Sequence, residues 1–204
     1  SAGNQKTFTF SCWAKITKLS AEKNIFVGSN NWFRFESNNK IYYWHSGSTN
    51  VNTDGLFRDV GAWYHLVLAV DTTQSTASNR VKIYVNGVQQ TLSGTYPAQD
   101  ATLGFNGAYA HYLGSQGTSG SNAFNGYLAE IHNIDGAQLA ASDFGEYDDN
   151  NIWQPKEFTG SYSATVAAAY TGTVPSSTTD VPPAGSYGNG IATAAVLFGG
   201  TILT

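Results

Sequence analysis

A chain of 204 residues, with 12% charged side chains, 14% aromatic ones and 22 glycines, has room for one sizeable core and favours short strands and tight turns over helices. Its net charge of -4 excludes the clustered Lys/Arg footprint that nucleic-acid phosphates require, so no nucleic-acid partner is expected. A lone cysteine, Cys12, excludes an internal disulfide, and with neither a signal-peptide pattern nor an apolar run of spanning length, no membrane insertion is expected.

Residues 7–16 set Phe8, Phe10, Cys12 and Ile16 against Thr7, Thr9, Ser11 and Lys15, the period-2 pattern of a half-buried strand. Cys12 falls on the apolar face and reads as a small core residue. Trp13 falls on the other face, where an aromatic is either covered by a neighbouring layer or offered to a ligand. Strands are predicted next over 24–28, 32–36 and 40–45, separated by Asn, Ser and Gly, which makes a meander. A polar loop over 46–59 leads to 63–71, apolar on both faces as in a central strand. Residues 80–92 then form a hairpin turning at Asn86-Gly87. Weaker strands are expected over 101–105, 109–114 and 125–134, and a single helical turn or two within 137–147, around Leu139 and Phe144.

Asn-Gly or Asp-Gly steps recur at Asp54, Asn86, Asn106, Asn125, Asp135 and Asn189, each supplying the positive φ angles of a tight turn. Such turns between short apolar runs point to antiparallel pairing, because parallel strands need crossovers of a dozen or more residues. The predicted class is all-β, a two-sheet antiparallel sandwich. From Ser161 onward Ala, Thr, Ser, Gly and Pro dominate and Asp180 is the sole charged residue. The expected organisation is therefore a domain over 1–160 and an extended C-terminal segment over 161–204, read as a docking arm or a linker.

Three motifs carry a resemblance. Trp63, His65 and Leu66 are followed by Tyr84-Val85-Asn86-Gly87 and later by Gly126, Leu128, Glu130 and Ile131. In that order and spacing they resemble the concanavalin A-like lectin/glucanase jelly roll in its laminin-G-like form, over roughly residues 7–160. A narrower likeness links three further stretches to jelly-roll domains of bacteriophage tail fibres and other virion proteins. They are Ile134-Asp135-Gly136-Ala137-Gln138-Leu139, Ser142-Asp143-Phe144-Gly145-Glu146-Tyr147, and the run from Trp153 to Tyr162. After Tyr162 the chain departs from that pattern.

Glucanases of this superfold are expected to carry paired acids two or four apart on one strand. Glu130 has no acid at 132 or 134, and Asp135 points to the opposite face of an ideal strand, so no catalytic residue is assigned. His45, His65, His111 and His132 lie at no recognised zinc spacing, and His65 and His132 read as hydrogen-bonded structural histidines. The resemblance also raises Ca2+, for which the acids between Glu130 and Asp149 are candidates. They form no regular ligand loop and read instead as solvated surface acids. No metal ligand is assigned.

Sugar recognition uses aromatic faces stacked on pyranose rings beside amides and guanidinium groups. Trp32, Trp44, Arg58, Tyr109 and Tyr112 are the candidate ligand-binding residues. The resemblance implies a non-enzymatic protein on the virion surface, a tail fibre, head fibre or capsid decoration. It would bind host-surface glycan, form a homo-oligomer and contact other virion proteins. The alternative is a purely structural capsid- or tail-assembly protein that binds no sugar.

Overall fold

The computed structural model describes residues 2–47, 49–117 and 120–162. Its strands run in chain order β1 (Thr7–Ile16), β2 (Lys23–Gly28), β3 (Asn31–Phe35), β4 (Ile41–His45), β5 (Thr49–Thr53) and β6 (Tyr64–Asp71). A one-turn helix, α1 (Ala77–Arg80), precedes β7 (Val81–Val85), β8 (Val88–Gln89) and β9 (Leu92–Thr95). After β10 (Tyr112–Leu113) and β11 (Gly126–Asp135) come a 3-10 turn (Ala141–Asp143), β12 (Gly145–Tyr147) and β13 (Trp153–Pro155).

Two antiparallel sheets face each other: β11-β1-β6-β7-β8 with five strands and β10-β2-β3-β4-β5-β9 with six. The alternation read in residues 7–16 places Phe8, Phe10 and Cys12 between the sheets, where they meet Phe26, Phe33, Phe35, Ile41 and Tyr43 of the six-stranded sheet. Phe10 stacks on Phe26 at 4.5 Å, and Phe26 on Phe105 at 4.3 Å, so the aromatic contacts cross from sheet to sheet. Each such ring removes on the order of 2 kcal/mol of apolar surface cost from water, and each aromatic pair adds about 1 kcal/mol.

The hairpin turns where the Asn-Gly step predicts: Asn86 (φ 48) and Gly87 (φ 82) join β7 to β8 with Val85 opposite Val88. Asn86 also ties this turn to β6, its Oδ1 accepting the His65 amide at 2.7 Å while its own amide donates to the His65 carbonyl.

Two predicted elements are corrected. The loop expected over 46–59 contains β5, Thr-Asn-Val-Asn-Thr, where ladders with β4 on one side and β9 on the other outweigh the poor strand preference of the two Asn. Residues 101–105 form no strand; Leu103 and Phe105 are buried, but the stretch meets the N-terminal residues through isolated backbone bonds, Leu103 to Gln5 and Gly3 to Asn106, supplemented by the Gln5 side chain on the Leu103 carbonyl. Gly104 lies so close to Asn31 and the Ser29 carbonyl that a side chain there would overlap them. The helical turn expected within 137–147 is the 3-10 turn at Ala141–Asp143. Of the C-terminal segment predicted over 161–204, all but Ser161 and Tyr162 lie outside the described residues.

Candidate functional site

A two-sheet sandwich has two outer faces, and here they differ. On the five-stranded sheet the outward positions Val67, Ala69 and Ile134 are buried under a third layer built from residues 137–162, with Ala141, Phe144, Leu139, Trp153 and Phe158 packed on them. Trp13 is covered by the same layer: its ring stacks at 5.1 Å on His65, which in turn stacks on Trp153. Burial, with repulsion from His132 second, pushes the His65 imidazole down to about 4.

The hydrogen bonds of His65 settle its tautomer. The Trp153 indole N–H can only donate, and it points to His65 Nδ1 at 3.0 Å. The ring hydrogen is therefore on Nε2, which donates to Ser11 Oγ at 2.9 Å. A histidine that donates to a serine cannot draw off its proton, so this buried pair is structural and does not form a nucleophile and base.

The six-stranded sheet presents a different outer face. Phe33, Phe35, Ile41, Tyr43 and Val51 point into the core, so the alternate residues Trp32, Arg34, Tyr42, Trp44, Asn50 and Asn52 point away from it. Register aligns them in rows across the strands. One row reads Tyr112, Val27, Trp32, Trp44, Asn50 and Thr95; the next reads Asn24, Arg34, Tyr42, Asn52 and Ser93. The Trp32 and Trp44 rings meet at 4.2 Å and 47°, both half-buried.

Polar groups surround this aromatic pair. Arg34 lies 5.4 Å over the Tyr42 ring and is held by Glu36 at 2.7 Å and Glu22 at 3.1 Å. Lys40 donates to Asn52 Oδ1 at 3.2 Å. Trp32 Nε1 and both amide atoms of Asn24 are shielded from solvent and have no hydrogen-bond partner among the described residues. Such orphaned groups cost about 1–3 kcal/mol each.

The structure brings together three of the five residues singled out from sequence. Trp32, Trp44 and Tyr112 share one row of one face. Arg58 is exposed on the loop before β6, where the Phe57 amide bonds the Asn39 carbonyl at the far end of the meander. Tyr109 is 39% exposed, but its hydroxyl donates to the Gly104 carbonyl and its ring stacks on His111, so it braces the 104–111 loop. Arg34 and Asn50 were not singled out. Arg34 was findable, since period-2 alternation puts it on the face of Trp32; Asn50 was not, because its strand reads as loop.

The acids considered for calcium are dispersed. Glu130, at a bulge with φ 46, approaches His132 at 3.9 Å, while Asp135 accepts the Asn4 amide. Asp143 accepts the Ala140 amide and Asp148 those of Asn150 and Ile152. Among the described residues no group of three or more His, Cys, Asp or Glu side chains is placed to hold a metal ion. Among them, too, no helix is long and apolar enough to cross a membrane.

The family model of the concanavalin A-like lectin/glucanases superfamily, in its laminin G form, matches residues 2–141. That match ends inside the third layer. Among solved structures the chain is similar to a Bacteroides ovatus protein to which carbohydrate binding is provisionally ascribed, at 15% identity and TM-score 0.54, over 68% of this chain and 39% of that one. It is similar to Trypanosoma rangeli sialidase in complex with sialic acid, at 17% identity and TM-score 0.46, over 68% of this chain and 22% of that one. Domain 4 of an extracellular arabinanase from Geobacillus stearothermophilus, in complex with arabinotriose, is similar at 22% identity and TM-score 0.47, over 68% and 64% of the two chains. The chain thus spans well under two thirds of the first two proteins. No curated protein matches it.

Proposed function

The chain belongs to the concanavalin A-like lectin/glucanases superfamily, and from that premise we propose that it binds carbohydrate without cleaving it, on the outer face of its six-stranded sheet. One observation carries the reading: a third layer covers the opposite face, while this one keeps two adjoining tryptophans half-exposed beside amide side chains. Stacking on Trp32 and Trp44, with Tyr112 at the strand edge and Asn50 for hydroxyl groups, is the chemistry by which pyranose rings are held. The reading without catalysis is supported by Glu130, which stands at a bulge with no acid at 132 or 134, and by the donor role of His65 toward Ser11.

The protein's place is the bacteriophage virion surface, as a fibre or decoration protein that meets host-surface glycan, and the likeness of residues 134–162 to virion jelly rolls supports this. Repetition in a homo-oligomer beside other virion proteins multiplies weak single sites into adhesion. A structural capsid- or tail-assembly role is the second reading, favoured by the Trp32 indole nitrogen, which is already shielded from solvent.

The test is a glycan array followed by calorimetry on the whole chain and on Trp44→Ala. Retained folding with at least tenfold weaker saccharide binding supports the proposal; unchanged binding refutes the assignment of this face. Particles that carry Trp44→Ala and assemble normally but adsorb poorly favour adhesion, and failed assembly favours the structural role.

A further inference from the structure

We infer that the saccharide taken by this face is uncharged, selected against carboxylated and sulfated sugars. The inference rests on the proposed carbohydrate site and names its ligand class.

The face contains cations, but carboxylates balance their charge. Arg34, whose side chain is 16% exposed, spends its guanidinium on two carboxylates, Nε to Glu36 at 2.7 Å and the terminal nitrogens to Glu22 at 3.1 and 3.4 Å. Both carboxylates are themselves anchored, Glu22 by the Asn122 amide at 2.8 Å and Glu36 by the arginine, with 16% of its side chain exposed. Lys40 donates to the neutral Asn52 amide and keeps its charge, but Glu22 and Glu36 against Arg34 and Lys40 leave the face without net positive charge, and at the border Asp54 accepts the Ser93 hydroxyl. An arriving anion would have to strip Arg34 from its partners, and would then face Glu22 and Glu36 uncompensated. Arg58 and Asp59 lie on the loop at the end of the sheet, so that border is not cationic either.

What remains available is neutral. Asn50 is exposed directly opposite Trp44, and none of its side-chain atoms makes a hydrogen bond within the described residues. The exposed Thr95 stands opposite Asn50. An amide beside a hydroxyl offers both donors and acceptors next to an indole face, which suits sugar hydroxyls and makes no charge demand.

The test compares linkage-matched oligosaccharides in pairs: neutral gluco-, galacto-, manno- and N-acetylglucosamine chains against their uronate, sialylated and sulfated counterparts, titrated into the whole chain at 50 and 500 mM NaCl. The expected result is binding of a neutral member, at least tenfold weaker binding of its anionic counterpart, and less than a twofold change with salt. The double variant Glu22→Gln/Glu36→Gln, checked by circular dichroism, should release Arg34 and narrow the gap. Preference for the anionic member, weakened by salt, overturns the inference and leaves the carbohydrate site standing. Binding by neither class overturns both.

Discussion

Replacing His65 by asparagine tests the third layer through pH. In the folded protein the imidazole takes up a proton only near 4, against 6.5 for the free side chain, because burial and His132 disfavour the charge. On acidification the unfolded chain therefore binds this proton first and is favoured. The stabilising contribution is complete above about pH 6.5 and lost as pH falls toward 4. Each pH unit of separation is worth about 1.4 kcal/mol, which gives roughly 2 kcal/mol lost by pH 5 and roughly 3 kcal/mol by pH 4. Asparagine keeps an acceptor near the Trp153 N–H and removes both the titration and the bond to Ser11, at a neutral-pH cost of about 1–2 kcal/mol. The assay is urea unfolding followed by tryptophan fluorescence at pH 7.5, 6 and 5 on both proteins. The other histidines titrate in both and cancel in the difference. Wild type should lose about 2 kcal/mol relative to His65→Asn between pH 7.5 and 5. Parallel curves would refute the claim that the layer holds His65 neutral.

Further outcomes test other parts of the fold. Gly94 has φ 114, and a Cβ there would overlap the Asn50 carbonyl, so Gly94→Ala should cost about 2 kcal/mol or more in urea unfolding and weaken saccharide binding by disturbing β5. Phe144, buried between His132 and Phe158, should cost about 3–5 kcal/mol when cut to alanine; no change would mean the third layer is only a loose appendage. Burial pushes the Cys12 thiol well above its ordinary range, so it should resist a disulfide reagent at pH 8 until urea unfolds the chain, and rapid reaction of the native protein would contradict its place in the core.

The order of residues by itself determined the sandwich. Phe8, Phe10 and Cys12 alternating with Thr and Ser assign an inside and an outside to β1, and Asn86-Gly87 can hardly do other than reverse the chain, because both directions are local consequences of backbone geometry. Local geometry says nothing about what lies beyond the outside. Trp13 and Trp32 are both outward-facing tryptophans on neighbouring sheets, yet Trp13 is sealed beneath His65 and Trp153 while Trp32 stays half-exposed beside Trp44. That difference is made by residues 137–162, more than a hundred positions from Trp13, folding back over one sheet and not the other. The strand at Thr49–Thr53 is the same lesson: its two Asn residues disfavour a strand and set it within a polar stretch, and it exists because β4 and β9 offer ladders on both sides and the core has a place for Val51. Which face remained open to a ligand was therefore decided by tertiary structure alone, since burial of an outward face depends on contacts between distant parts of the chain.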